Sequence, residues 1–315
     1  MSIKFDPEDT MIAAGCADGT LKIFHLYSGH TKLDIPIAGK NSKDTFPCTC
    51  VKWRPSQFSD DIKNVVITGS ADGKIQHWHV TDGKELSSIQ EENNQINSLD
   101  FNQDGKQFVS GGSDNIIRLY DETTQQCTAQ FQSIGWQDSG HNNRVFCVKF
   151  LQDDQNIIMS GGWDSNVHFW DQRTKKSIKS FFGPKVSGES LDYKNGQILA
   201  GSYEAKHQLA IYDYGTCEKV KEILWNPKDT KESGAFVYGC QFSKTSDDTI
   251  LAGVHGLNQA RFFNRQNDYQ PIADIEGFKN GIFTVDYGNF SNKFAAAGGD
   301  GLLYVGSLTN RPDEN

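Results

Sequence analysis

Short apolar runs, each closed by turn residues, recur along the whole chain. The clearest case lies between Gly140 and Arg173. There Val145, Val148 and Phe150 mark one strand-like run, Ile157, Ile158 and Met159 a second, and Val167, Phe169 and Trp170 a third. Runs of this length, alternating and bounded by Gly, Asp, Asn and Ser, predict strands rather than helices. Aligned on the glycine after the second run, the same pattern returns at Gly15, Gly69, Gly111, Gly161, Gly201, Gly253 and Gly298, in steps of 40 to 54 residues. A repeat of that period means one small sheet per unit, stacked on its neighbours. Such a sheet has two apolar faces, and only packing between neighbours buries both.

The polar letters of the 140–173 stretch then become informative. It opens with Gly140-His141 and closes with Trp170-Asp171. It resembles a WD repeat, the blade of a β-propeller, whose signature is a GH pair followed by a WD pair. The resemblance implies that His141, Ser160, Asp164 and Trp170 share one hydrogen-bond network. A buried polar network is tolerated when every member is satisfied, and it then fixes one packing. The other units look worn. Asp18, Asp72 and Asp114 keep the turn carboxylate, as Thr68 with Trp78 and Ser110 with Tyr120 keep other members. The histidine position reads as Asp44, Glu92, Pro184, Ser233 and Phe278 in the second, third, fifth, sixth and seventh units. Those blades are expected to rest on apolar packing.

The expectation is therefore an all-β, seven-bladed WD-repeat propeller in one domain. Its blades span approximately 1–38, 46–91, 95–132, 144–183, 187–226, 236–276 and 281–308. Six units carry a fourth, outer strand. The seventh ends with a third strand at 302–308 and a polar tail, and Ser2 to Phe5 is already used as the first strand of blade one. A three-stranded seventh blade follows, closed by face packing on blade one rather than by an N-terminal strand. Its last strand would be an open, apolar edge, which proteins normally protect.

Composition narrows the function classes. A net charge of −9 disfavours nucleic acid or an anionic bilayer as the main partner. MSIKFDPEDT has no apolar core of a secretory signal, and seven scattered cysteines read as reduced thiols, so a cytoplasmic placement is expected. Cys48 and Cys50 lack a second pair to complete a metal site, and no histidine pair stands at ligand spacing with a carboxylate. Asp153-Asp154 and Asp247-Asp248 fall in turns between first and second strands and read as turn formers. No cofactor, metal, small-molecule substrate or catalytic residue is expected, and the chain is read as a non-enzyme.

Binding of other proteins, several in one complex, is the reading that remains. The resemblance implies that loops leading into first strands, and loops between second and third strands, ring one mouth of the channel. Trp136 and Trp225 lie in or beside such loops, and Trp163 sits just before the turn Asp164. Tyr203 and His255 take the Trp163 position in blades five and six. Arg144 and Phe146, then Phe236 and Tyr238, then Phe283, follow along the strand starts. Trp, Tyr and Arg are the side chains over-represented at binding hot spots. A second constellation, Trp170-Asp171-Gln172-Arg173, looks like the motif by which WD-repeat substrate receptors dock on the adaptor of a cullin–RING ubiquitin ligase, with Asp171 and Arg173 as the contacts. The basic edge Arg173, Lys175, Lys176 and Lys179 reads as a solvated outer strand. The remaining alternative is a structural part of a cytoskeletal or ciliary assembly.

Overall fold

The computed structural model describes residues 1–39, 45–55, 64–133, 139–226 and 234–308. It is all-β among those residues: seven antiparallel sheets, each formed by strands in chain order from the inside outward. Six sheets have four strands. The seventh has three, Ile282–Tyr287, Lys293–Gly298 and Leu303–Ser307, as the missing outer repeat predicted.

Each blade buries both faces, which is the reason for the doubled apolar pattern. On one side of blade four, Val145, Val148, Ile158 and Trp170 meet Val109, Ile117, Leu119 and Phe131 of blade three. On the other, Cys147, Met159, Val167 and Phe169 meet Val186, Leu191, Ile198 and Ala200 of blade five. Cys48, Cys50, Cys147 and Cys240 are buried free thiols, whereas Cys127 is exposed.

The innermost strands follow one rule. Each carries, at or next to its end, an aliphatic or Cys residue, a polar residue and an aromatic: Ile3-Lys4-Phe5, Val51-Lys52-Trp53, Leu99-Asp100-Phe101, Val148-Lys149-Phe150, Leu191-Asp192-Tyr193, Cys240-Gln241-Phe242 and Val285-Asp286-Tyr287. The outer two side chains pack between blades, so the middle one points to the axis. Where that residue is an acceptor, it staples the next blade. Asp100 accepts from Phe150 N at 2.9 Å, Asp192 from Phe242 N at 2.8 Å, Gln241 from Tyr287 N at 2.8 Å and Asp286 from Phe5 N at 2.8 Å.

The last of these staples closes the ring. Blade seven packs face to face on blade one through Ile3, Phe5, Ile12, Ala14 and Ala295, as the sequence led us to expect. Polar clamps that the sequence did not announce join them. Thr284 Oγ1 accepts from Ile3 N at 3.2 Å. Asp9 accepts from the backbone N–H groups of Asn289, Phe290 and Ser291 at 2.7, 2.9 and 3.0 Å. Burial works against the Asp9 charge, but those backbone donors outweigh it and hold its pKa below the ordinary value.

Candidate recognition face

A recurrent irregularity in the inner strands builds the site. In blades two, three, four, six and seven the pairing of the first strand with the second slips by one residue near its start. The residue left without a partner in blades four, six and seven is Phe146, Tyr238 and Phe283. A β-bulge bends the strand locally and re-aims the extra side chain. Here it turns an aromatic residue out of the interblade core at the same height in each blade.

These residues meet aromatics from the loops between second and third strands. Phe146 stacks on Trp163 at 5.1 Å between ring centroids. Arg144 and Lys185 lie 5.9 and 5.8 Å from the same indole, whose Nε1–H donates to Ser187 Oγ at 2.8 Å. Despite those contacts Trp163 is 39% exposed. Further round, Tyr203 contacts Phe236 at 4.9 Å and Tyr238 at 5.1 Å, and Tyr238 meets Phe283 edge-on at 4.9 Å and His255 at 6.3 Å. Burial, and then its hydrogen bond with Tyr203, push Tyr238 up to about 12, so its phenol stays neutral at physiological pH. Gly188 joins the two groups: a β-carbon there would collide with the Tyr238 carbonyl oxygen. The residues singled out from the sequence in blades four to seven, Phe283 included, thus line one face, joined by Lys185, which sequence reasoning missed.

Trp136 lies outside the described residues, as do Asp44 and Ser233. Trp225 is a correction. It is buried in the core between blades five and six, beneath the Arg261 guanidinium at 5.2 Å. Arg261 is itself held by Asp274 at 2.5 and 2.8 Å, and this pairing roofs the indole.

The blade-four network holds all four expected members. Trp170 Nε1–H donates to Ser160 Oγ, Ser160 O–H donates to His141 Nε2, and His141 Nδ1–H donates to Asp164, each at 2.8 Å. The histidine tautomer with its proton on Nδ1 satisfies every atom of this relay. Burial raises the Asp164 pKa, but the hydrogen bond from His141 and two backbone donors prevail, so it lies below the ordinary value. The fold brings two histidines beside a carboxylate although none stand at ligand spacing in the sequence. The loop entering blade four, the turn after its second strand and its third strand bring ligand atoms of His141, Asp164 and His168 within 4.8 Å of one another. Both nitrogens of His141 are already engaged in the relay, so the cluster is accounted for by hydrogen bonding.

Blade three corrects the expectation of mere apolar packing. Its hub is Glu91, one residue before Glu92, which is exposed. Glu91 Oε1 accepts from Ser110 Oγ at 2.5 Å and Tyr120 OH at 2.8 Å. Oε2 accepts from Arg118 at 2.8 Å and Asn94 at 2.7 Å, and Arg118 also reaches Asp114 at 2.5 Å. In blades five and seven Pro184 is buried and Phe278 packs against an apolar cluster, as expected.

On the opposite face, Arg173 is 64% exposed in its side chain and forms a two-pronged pair with Asp171 at 3.0 and 2.7 Å. Of the basic edge, Lys179 does not simply project into solvent: it lies 4.3 Å from the Tyr214 ring and donates to Tyr214 O at 2.9 Å. The turn carboxylates do structural work, with Asp153 accepting from Tyr193 OH at 2.7 Å and Asp247 pairing with Lys194 at 2.9 Å.

Seven radial blades with a Trp-Ser-His-Asp relay and an aromatic mouth define a propeller of WD repeats. The family model described as WD domain, G-beta repeat, matches residues 1–25, 83–121 and 131–171. The chain belongs to the WD-repeat β-propeller family. It is 23% identical over 73% of its length to the WD repeat-containing protein slp1 of Schizosaccharomyces pombe, covering 44% of that protein. It is 30% identical over 80% of its length to the serine-threonine kinase receptor-associated protein of Mus musculus, covering 65% of it. To E3 ubiquitin-protein ligase COP1 of Arabidopsis thaliana it is 24% identical over 64% of its length, covering 28% of that protein. The chain thus spans between about a quarter and two thirds of these curated relatives. WD40 propellers are generally non-catalytic interaction domains, and family members bind other proteins in complexes.

Proposed function

We propose that this protein is a non-catalytic scaffold or adaptor subunit that docks partner proteins on the channel mouth of blades four to seven. The observation that carries this reading is the belt from Trp163 and Phe146 to Tyr203, Tyr238 and Phe283, exposed at one end and flanked by Arg144 and Lys185. Rigid aromatics held by their neighbours lose little entropy when a partner docks. The belt calls for a partner segment with apolar anchors, and with an acidic residue opposite Arg144 and Lys185. The last strand of blade seven is a second contact surface. Among the described residues it pairs on one side only, and Leu302, Tyr304 and Val305 are 51, 47 and 38% exposed. A partner strand could add there.

A substrate receptor of a cullin–RING ligase is the second reading, favoured by the exposure of Arg173 and by a relative whose name is E3 ubiquitin-protein ligase. A cytoplasmic setting, or a cytoskeletal or ciliary assembly, would suit the scaffold role. One binding panel tests these readings. Partners recovered with the wild-type protein should be lost from Trp163→Ala, Tyr238→Ala and Phe146→Ala at about 2–4 kcal/mol each, with the ring still folded. Retention by all three variants overturns the mouth as the docking face. Arg173→Ala should release a cullin adaptor and spare the other partners. Failure of the wild type to bind that adaptor removes the second reading alone.

A further inference from the structure

The four-stranded blades all finish by one rule. Val167, Ala260 and Leu303 stand at one point of their blades, because they pair with Gly161, Gly253 and Ala297, the residues that meet the first strand just past its bulge. Opposite that point, the outer strand of each four-stranded blade sets an apolar residue: Ile35, Ile89, Phe131, Phe181, Ile223 and Ile275. Each of these enters the apolar cluster shared with the next blade. Among the described residues, the seam between blades seven and one receives no such residue. There Phe24, Leu26 and Leu303 are only half-buried.

The backbone of the last strand is open at the same place. Gly298 N–H donates to Leu302 O at 3.1 Å, and Leu308 N–H to Asn292 O at 2.8 Å. Antiparallel pairing alternates along a strand, so Leu302, Tyr304, Gly306 and Leu308 turn their backbone groups to the second strand. The N–H and C=O of Leu303, Val305 and Ser307 point outward, and no described strand pairs with them.

Exposed edges are normally protected by charge or proline. Five of the outer strands carry one or the other. In the sixth, Cys127–Phe131, Lys175 Nζ caps the Thr128 carbonyl at 3.2 Å. The stretch from Leu302 to Leu308 has neither device, so two copies of it meet without like charges.

The strand also fits its own edge. In blade one the outer strand offers apolar residues at alternate positions, Leu33 facing Ile23 and Ile35 facing Leu21. Leu303-Tyr304-Val305 has that form. Laid antiparallel on a second copy, Val305 meets Leu303 of the other copy and Leu303 meets its Val305, with Tyr304 on the two-fold axis. Both pairs use outward-facing residues, and each pair exchanges two backbone hydrogen bonds. Val305 of one copy then covers Leu303, Phe24 and Leu26 of the other, in the place that Ile35 takes over Leu21.

We propose that two copies of this chain pair through the last strands of blade seven, forming a two-fold dimer with one continuous sheet across both seventh blades. A self-complementary patch of this kind is what a two-fold interface requires. The proposal rests on the reading of that strand as a contact surface and commits it to a second copy.

Sedimentation of the full chain across a dilution series, with hydrogen exchange read at the same concentrations, tests this. The expected result is a dimer that dissociates on dilution, as the amides of Leu303, Val305 and Ser307 lose protection. Tyr304→Lys, which sets two ammonium groups together at the axis, should weaken the dimer by at least about tenfold. Val305→Pro should do the same, and it removes an outward N–H that blade seven does not use. Tyr304→Cys should cross-link two copies under mild oxidation, since opposed residues of a non-hydrogen-bonded pair lie about 4.5 Å apart at Cα. Cross-linking through Ser307→Cys and not through Tyr304→Cys overturns the register. A dimer that Tyr304→Lys and Val305→Pro leave unaltered pairs through another surface and overturns the proposal. A monomer at all concentrations also overturns it, and its amides separate two cases. Exchange at Leu303, Val305 and Ser307 leaves the edge as a contact surface for a different strand. Protection there means that the chain covers its own edge, and the contact-surface reading fails as well.

Discussion

Blades three and four place different chemistry at one position. In blade four an imidazole accepts a hydrogen bond from a hydroxyl on one nitrogen and donates to Asp164 from the other, so its relay balances as neutral groups ending on one carboxylate. In blade three Glu91 accepts four bonds and donates none, with Arg118 as the counter-charge shared with Asp114. Burial, then the nearby Glu91 charge, pushes the Tyr120 phenol far up, which fixes it as a donor. The fold therefore requires a satisfied polar hub between blades rather than a histidine. A hub built from charges holds more tightly only while both partners are present, since breaking a buried pair strands the other charge.

That difference ranks the mutations. Glu91→Ala leaves Arg118, Tyr120, Ser110 and Asn94 facing an empty acceptor site and should cost about 3–5 kcal/mol. His141→Ala strands only neutral groups and one carboxylate that keeps its backbone donors, at about 1–3 kcal/mol. Urea unfolding of the two variants checks the order. If His141→Ala proves the more damaging, the charged hub is no more than an ornament on apolar packing.

How much of this could be read beforehand depended on whether the signal lay in residue type or in register. The blade-four relay was legible because all four members stand in one unbroken repeat. Glu91 was misplaced by a single residue because two glutamates are adjacent and only the strand's entry angle decides which is buried. The axial ring was in plain view as seven apolar–polar–aromatic triplets, but a polar residue between apolar neighbours reads as solvent-facing until the ring closes around it. Trp225 failed for the opposite reason: its loop position suggested exposure, and the roof over it comes from Arg261, 36 residues away. The bulges at Phe146, Tyr238 and Phe283 leave no trace in composition, because a one-residue slip changes pairing and not residue type.

Acid gives the finest separation of the two hubs. His168 stands beside the blade-four relay, 5.2 Å from Trp170 and 4.6 Å from His141 between ring centroids. It faces Ser177 through Nδ1 at 3.2 Å, and its Nε2 is buried without a hydrogen-bond partner. Burial first, and then the proximity of His141, lower its pKa from the ordinary 6.5 to about 4. The unfolded chain then takes up the proton at higher pH than the folded one. Stability is therefore full above about pH 6.5, falls as the pH drops from there toward 4, and changes no further on this account below that. Asp164, held below its ordinary pKa by His141 and two backbone donors, contributes stability above about pH 4 that is lost only at lower pH. Blade four should thus weaken in two steps on acidification, His168 first. Blade three has no histidine in its hub, so the first step belongs to blade four alone. The effect should be about 1 kcal/mol between pH 6.5 and 4.5, because local opening lets water reach the ring before the whole shift is expressed. Urea midpoints measured across that window for the wild type and for His168→Gln check it. The variant should show the flatter profile, and equal slopes would place the acid response of the ring elsewhere.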